Sequence, residues 1–452
     1  MPTRDELHQW DRRRHWHAFT QMQEYEPLIF VRGQGCRLWD IDGNEYLDGV
    51  SSLWCNVHGH RHPRIDAAVR GQLDRVAHVT NLGAGNPSAI ELAERLVEVT
   101  PPGLDHVFFS DDGATAVEVA LKIAFQYQRQ RKTPTPEKTM FVAFGEAYHG
   151  DTLGVVSVGG VARFHKMFKP LVFDVLRVPS PGMYRLPEDV TRANACEYHL
   201  SHLRAVFEQH GDKIAAVVLE PLVQGAAGIV TQPAGFLRAA RELTRRFDAL
   251  LIADEVAVGF GRTGRMFACE HEDVTPDLMC LGKGITGGYL PVAATLATRE
   301  IYEAFLGEYG ELKTFFHGHT YGGNPLGCAA ALASLAVFEE EQTISNLPPK
   351  IARLSEHLAR IAELPHVGDV RQCGMMAGIE LVADKATAEP FDFRAKRGYR
   401  VCAAAREKGV WLRPLGDVIV IMPPLAITLE ELDQVCQAAE YGIRVATGKN
   451  PD

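Results

Sequence analysis

Residues 249–264 read ALLIADEVAVGFGRTG. The apolar run ALLIADEVAV at 249–258 carries Asp254 and leads into a glycine-rich turn. The apolar run shows no alternation and is too short for a packed helix, so it reads as a strand buried on both faces. Three further runs share this character: HVFFS at 106–110, TMFVAF at 139–144 and IAAVVLE at 214–220. Helical stretches at 114–130 and 235–247 lie between them. This β-then-α rhythm predicts an α/β fold with a mostly parallel central sheet covered by helices on both faces. Such sheets bind ligands beyond the carboxyl ends of their strands, which places Ser110, Glu220 and Asp254 near a site.

Outward from this centre the pattern changes. Segment 29–50, IFVRGQGCRLWDIDGNEYLDGV, alternates around the turn signals GQG and DGN and predicts a small antiparallel hairpin or meander. A helix is expected over 88–98, with Ser88 as its cap. Beyond 345 a long helix is followed by segments 370–382, 398–409, 417–424 and 429–446, alternating strand with helix. The expected division is an N-terminal segment of a small domain at 1–62, a large catalytic domain at 63–340, and the rest of the small domain at 341–452. RKTPTPEK at 131–138 reads as an exposed turn.

Composition narrows the function. Of 452 residues 46% are hydrophobic, which suits a packed globular protein rather than a disordered chain. The formal charge of −10 is spread along the chain and leaves no basic stripe for a nucleic-acid backbone. The N-terminus lacks the apolar core of a secretory signal, and no run of about 18 apolar residues suggests a membrane span. The cytoplasm is therefore the expected compartment. Nine cysteines without a CxxC pair read as reduced, mostly buried thiols.

GFGRTG at 259–264 has the spacing G-x-G-x-x-G, but the sequence after it is irregular and not helical, so a tight turn beside a site is favoured over a dinucleotide loop. GKGITGG at 282–288 lacks P-loop spacing. His58, His60 and His62, HGHT at 317–320 and Cys269-Glu-His271 do not match the usual zinc spacings, and no metal is expected. A more telling pair is Asp254 and, 29 residues later, Lys283 in LGKGITGGYLP. A lysine in a glycine-rich, uncharged segment is either a solvated turn residue or an amine whose pKa burial lowers for Schiff-base chemistry. With an acid able to keep a pyridine nitrogen protonated, the pair outlines a pyridoxal phosphate site. DDGAT at 111–115 offers helix N-terminal amides for the phosphate, provided the two aspartates point away from it.

At these residues the chain closely resembles the class III aminotransferases of the fold type I pyridoxal phosphate family, and within them the 7,8-diaminopelargonate synthase branch of biotin biosynthesis. The resemblance runs from about 15 to 445 and rests on WHAFTQM (16–22), SSLWCNVHGHRHP (51–63), FFSDDGATAVEVALK (108–122), YHGDTLG (148–154), EPLVQGAAG (220–228), ADEVAVGFGRTG (253–264), GKGITGGYLP (282–291), FFHGHTYGGNPLGCA (315–329) and WLRPLGDVIVIMPP (411–424). It implies that Lys283 binds the cofactor covalently and moves the substrate proton, that Asp254 pairs with the ring nitrogen, and that Tyr148 stacks on the ring. It implies phosphate contacts from the Gly113 and Ala114 amides and from Thr320 of a second subunit, hence a homodimer. Glu220 and Asp151 resemble residues that orient neighbours or receive the substrate amine. Arg413 resembles a carboxylate-gripping fork, Trp54 a wall for an apolar chain, and Gly318 and Phe19 further substrate contacts.

The implied reaction takes nitrogen from a small-molecule donor and passes it to a keto acceptor, 8-amino-7-oxononanoate. S-adenosylmethionine is the expected donor. Phe19 stands where adenosylmethionine users commonly have a tyrosine, which keeps lysine as the alternative. An ω-amino acid:pyruvate or 4-aminobutyrate transaminase is the rival reading.

Overall fold

Burial on both faces turns the apolar runs into one sheet. In the computed structural model, which describes residues 2–448, the strands Ile214–Leu219 and Leu250–Asp254 are buried at every position. They sit inside a seven-stranded sheet ordered Leu104–Ser110, Ala293–Thr298, Leu278–Leu281, Leu250–Asp254, Ile214–Leu219, Met140–Phe144, Leu176–Val178. Only Ala293–Thr298 runs against its neighbours; the other strands share one direction. The helices Gly113–Gln130 and Phe236–Arg246 occupy the expected stretches and pack on the sheet. Residues 249–258 do not form one long strand, because the chain turns immediately after Asp254.

Some local expectations are corrected. The helix at 88–98 starts at Pro87 and is capped by Asn86, whose side chain accepts from the Ala89 amide at 2.9 Å. Pro87, which has no N–H to lose, fixes that start. The Ser88 hydroxyl instead donates to Gln72 at 3.0 Å. Segment 370–382, read as one strand, is an antiparallel hairpin of Val367–Cys373 and Met376–Leu381. The 131–138 turn is exposed over much of its length, but Lys138 is buried and donates to the Phe247 carbonyl at 2.8 Å.

The 29–50 segment forms the antiparallel strands Phe30–Gln34, Arg37–Asp40 and Glu45–Asp48. A strand from the other end of the chain, Val410–Trp411, joins them in parallel beside Glu45–Asp48. A further sheet contains the 367–381 hairpin together with Arg413–Leu415 and Val418–Ile421. The GFGRTG turn ties these outer parts together. Arg262 is buried and donates to the Pro423 carbonyl at 2.7 Å and to the Asn56 carbonyl at 2.8 Å. Burial pushes its guanidinium down to about 10, so these carbonyls are what hold the charge. The three histidines of HGHRH diverge to separate partners: His58 to Ser334, His60 to Asp48 and His62 to Glu341. Among the described residues no helix is long and apolar enough to cross a membrane.

Candidate active site

A cavity of about 730 Å³ opens at the carboxyl ends of the central strands. Its wall brings together Trp54, Gly113, Ala114, Tyr148, Asp151, Glu220, Asp254 and Lys283, residues up to 229 positions apart (283 − 54). Five other expected residues do not line it: Ser110 is buried at the end of its strand, and four lie elsewhere. Gly318 and Thr320 are exposed, Arg413 is half-buried on the neighbouring sheet, and Phe19 is 52% exposed outside the wall.

Asp254 ends its strand inside the protein and is only 4% exposed. One carboxylate oxygen accepts from the Val256 amide at 3.0 Å, and the other from His149 Nδ1 at 2.7 Å. A carboxylate has about four lone-pair sites, so it can still accept from a group in the cavity. His149 escaped the sequence reading although it lies within YHGD. Its pairing brings a loop that follows one strand onto the end of another 105 residues away, which no local pattern encodes.

Lys283 follows the strand Leu278–Leu281 and begins a short turn with φ of 40°, a left-handed conformation that a non-glycine residue seldom adopts. Its amine forms no hydrogen bond or ion pair with any described residue. It stands 5.4 Å from the centre of the Trp54 ring. Burial pulls its pKa below the ordinary value, against the pull of Asp254 and then Glu220. The result is an unpartnered amine with a lowered pKa at the wall of a cavity.

Glu220 is buried, and burial raises its carboxyl to about 7 despite the nearby His149 and the amides of Gly225 at 2.8 Å and Tyr148 at 3.1 Å that bond to it. The carboxylate therefore fixes the backbone of two cavity loops. Tyr148 donates its hydroxyl to Asp151 at 2.7 Å, and burial followed by that bond raises its pKa.

At the other end of the cavity, Gly113 and Ala114 start an 18-residue helix, where the first amides have no partner within the helix. Both aspartates also line the cavity, contrary to the expectation that they point away, but each carboxylate has a partner outside the helix amides of Gly113 and Ala114. Asp112 caps the Thr115 amide at 2.9 Å, and Asp111 pairs with His319 at 3.0 Å. The loops also nest without room for side chains. A Cβ on Gly113 would come within 2.4 Å of Val256, and one on Gly150 within 2.3 Å of the Ala114 methyl. Free helix amides, an orphaned amine and a hydrogen-bonded aspartate fit a cofactor with a phosphate, an aldehyde and a ring nitrogen.

Asp11, His15 and His17 are the one group of three or more side chains among the described residues with metal-ligand proximity. They are far from this arrangement in character, being half-buried or exposed and bonded to one another.

Comparison with known proteins agrees with this chemistry. A model of the family described as aminotransferase class-III matches residues 19–441. A relative from Geobacter sulfurreducens, named adenosylmethionine-8-amino-7-oxononanoate aminotransferase, is 55% identical over 446 residues, covering 98% of each chain. The crystal structure of the protein of that name from Methanocaldococcus jannaschii superposes with a TM-score of 0.92 at 46% identity, covering 98% of this chain and 99% of that one. An amine transaminase from an uncultivated Pseudomonas species, solved in its PLP-bound form, gives a TM-score of 0.89 at 36% identity over 95% of this chain and 98% of that one.

Proposed function

Because the chain belongs to the class-III aminotransferases, we propose that it is a pyridoxal-phosphate-dependent enzyme of biotin biosynthesis that aminates 8-amino-7-oxononanoate to 7,8-diaminononanoate, with S-adenosylmethionine as donor. The observation that carries the reading is the unpartnered Lys283 amine sharing one cavity with the Asp254–His149 pair, in a chain 55% identical to a relative bearing that activity's name. When bound, pyridoxal phosphate supplies the electron sink that lets a nitrogen-bearing carbon give up a proton.

The chain's own residues supply the rest. Lys283 would hold the cofactor, and its lowered pKa suits it to take a proton from the donor's carbon and return one to the acceptor's. Asp254, oriented by His149, offers a carboxylate to the ring nitrogen. The Gly113 and Ala114 amides would receive the phosphate. Glu220 keeps the backbone of Tyr148 and Gly225 in place, and Trp54 gives a nine-carbon chain an apolar wall that excludes water. Arg413 has no carboxylate partner among the described residues and is close enough for its charge to act on Tyr148, which suits a fork for the acceptor's carboxylate.

Thr320 is exposed and outside the cavity of its own chain, which supports the reading that it completes the site of a second copy in a homodimer. All nine cysteines are free, as befits a reducing cytoplasm.

The test is to offer S-adenosylmethionine, lysine, alanine and 4-aminobutyrate singly to the purified holoenzyme and follow bleaching of the cofactor's visible band. Mass spectrometry then asks whether 8-amino-7-oxononanoate gains the nitrogen. Conversion by S-adenosylmethionine with amination of the acceptor is expected. Conversion by lysine alone would change the donor, a choice to which Phe19, without a hydroxyl, is relevant. Conversion by alanine or 4-aminobutyrate alone would replace the assignment with an ω-transaminase.

A further inference from the structure

Residues 2–25 are poorly anchored by apolar packing. The helix Arg4–Arg14 buries no residue, and residues 15–25 run half-buried or exposed. Arg4 ties the helix to Asp42 outside the segment, and the polar contacts within the segment converge on Asp11. Its side chain is 11% exposed, and one oxygen accepts from His15 Nδ1 at 3.1 Å and His17 Nε2 at 2.9 Å. The other oxygen accepts from the Tyr25 hydroxyl at 2.8 Å. Burial tends to raise the Asp11 pKa, but the bonds from Tyr25, His17 and His15 leave it lowered, the signature of a carboxylate held charged by its donors. A second tie, the Lys396–Glu24 ion pair, secures the far end of the segment.

Phe19 lies between these ties. Its φ of 51° is one that an aromatic residue seldom adopts unless its surroundings hold it. Its ring meets Phe164 edge-on at 5.3 Å, and Phe164 meets the cavity residue Tyr148 at 5.9 Å. The hub is thus linked to the cavity through Phe19, Phe164 and Tyr148. The Asp11, His15 and His17 atoms lie within 4.8 Å of one another, as cation ligands do. Each ring nitrogen that faces Asp11 is already committed to its carboxylate, however, so a hydrogen-bonded hub accounts for the cluster.

We propose that Asp11 is a positioning residue for the transamination: by gathering His15, His17 and Tyr25 it holds residues 15–25 so that Phe19 closes the rim of the cavity over Phe164 and Tyr148. This rests on the transaminase reading above. Ordering a loosely packed segment has an entropic cost, and three bonds to one carboxylate offset it before substrate arrives.

The experiment is a double-mutant cycle on the holoenzyme, using single-turnover reaction with the amino donor that the wild type accepts. Asp11→Asn keeps the size but removes the charge and one acceptor. It should lower the second-order rate constant about tenfold through weaker saturation, with the limiting rate and the cofactor spectrum unchanged. Tyr25→Phe, which removes one of the three bonds, should lose less. If Asp11 acts through Phe19, the Asp11→Asn/Phe19→Ala protein is no slower than Phe19→Ala alone. Additive losses, a fall confined to the limiting rate, or an unchanged Asp11→Asn would overturn the proposal. A wild type that accepts no amino donor would instead overturn the transaminase reading.

Discussion

Asp254 lies on the cavity wall and Phe19 outside it, and the two are held in different ways. Asp254 is 4% exposed, bonded through both oxygens and carried by a strand with neighbours on each side. Phe19 is 52% exposed, in a left-handed conformation, with Phe164 as its aromatic partner. The floor is over-determined by burial and hydrogen bonds, whereas the rim depends on a few surface contacts. Changes to the floor should therefore alter the chemistry or the folding equilibrium, and changes to the rim should alter saturation by substrate.

The largest effect tests the floor directly. Lys283→Ala should abolish the visible band of the bound cofactor and lower transamination by roughly four orders of magnitude or more, as removal of a catalytic amine does. Stopped-flow absorbance measures both, and turnover near wild type would break the distinction between floor and rim.

The next effect is on stability. Buried Glu255 accepts from the Ala268 and Cys269 amides at 2.9 and 2.7 Å, yet burial still raises its carboxyl from 4.5 to about 7. A carboxyl raised on folding binds its proton more tightly in the folded state. Its contribution to stability is therefore full below the unfolded value and declines as pH rises through the folded one. The decline between pH 4.5 and about 7 is about 3 kcal/mol. Denaturant unfolding of Glu255→Gln should show a flatter pH slope across that window, and an unchanged slope would refute the cause.

The smallest of the three is at the rim. Arg413→Leu should raise the KM for a carboxylate-bearing acceptor about thirtyfold to a hundredfold, the worth of a charge-assisted fork, with kcat within a few-fold of wild type. A loss confined to kcat would move Arg413 to the floor.

The same contrast explains what could be read in the sequence. Asp254 and Lys283 were legible because an aspartate closing an apolar strand and a lysine among glycines are costly to bury and so draw attention to a use. The central strands at 104–110, 140–144, 214–219 and 250–254 were legible from length and apolarity. The reversed strand Ala293–Thr298, AATLAT, was not, since small residues give little strand signal and no pattern states direction. His149 was hidden because its partner comes from another strand. Asn86 displaced Ser88 as a cap because Pro87 sets where that helix can begin. Phe19, Gly318, Thr320 and Arg413 came from resemblance alone, and all four lie off the cavity wall of their own chain.

The nested glycines carry a lesson for redesign. Where a Cβ on Gly113 would strike Val256 at 2.4 Å and one on Gly150 would strike Ala114 at 2.3 Å, the cradle has no adjustable parts. Selection, natural or in the laboratory, can vary such a scaffold only by leaving that cradle alone. New substrate ranges must then be found among the loosely held residues around it, where a change does not first have to rebuild the backbone.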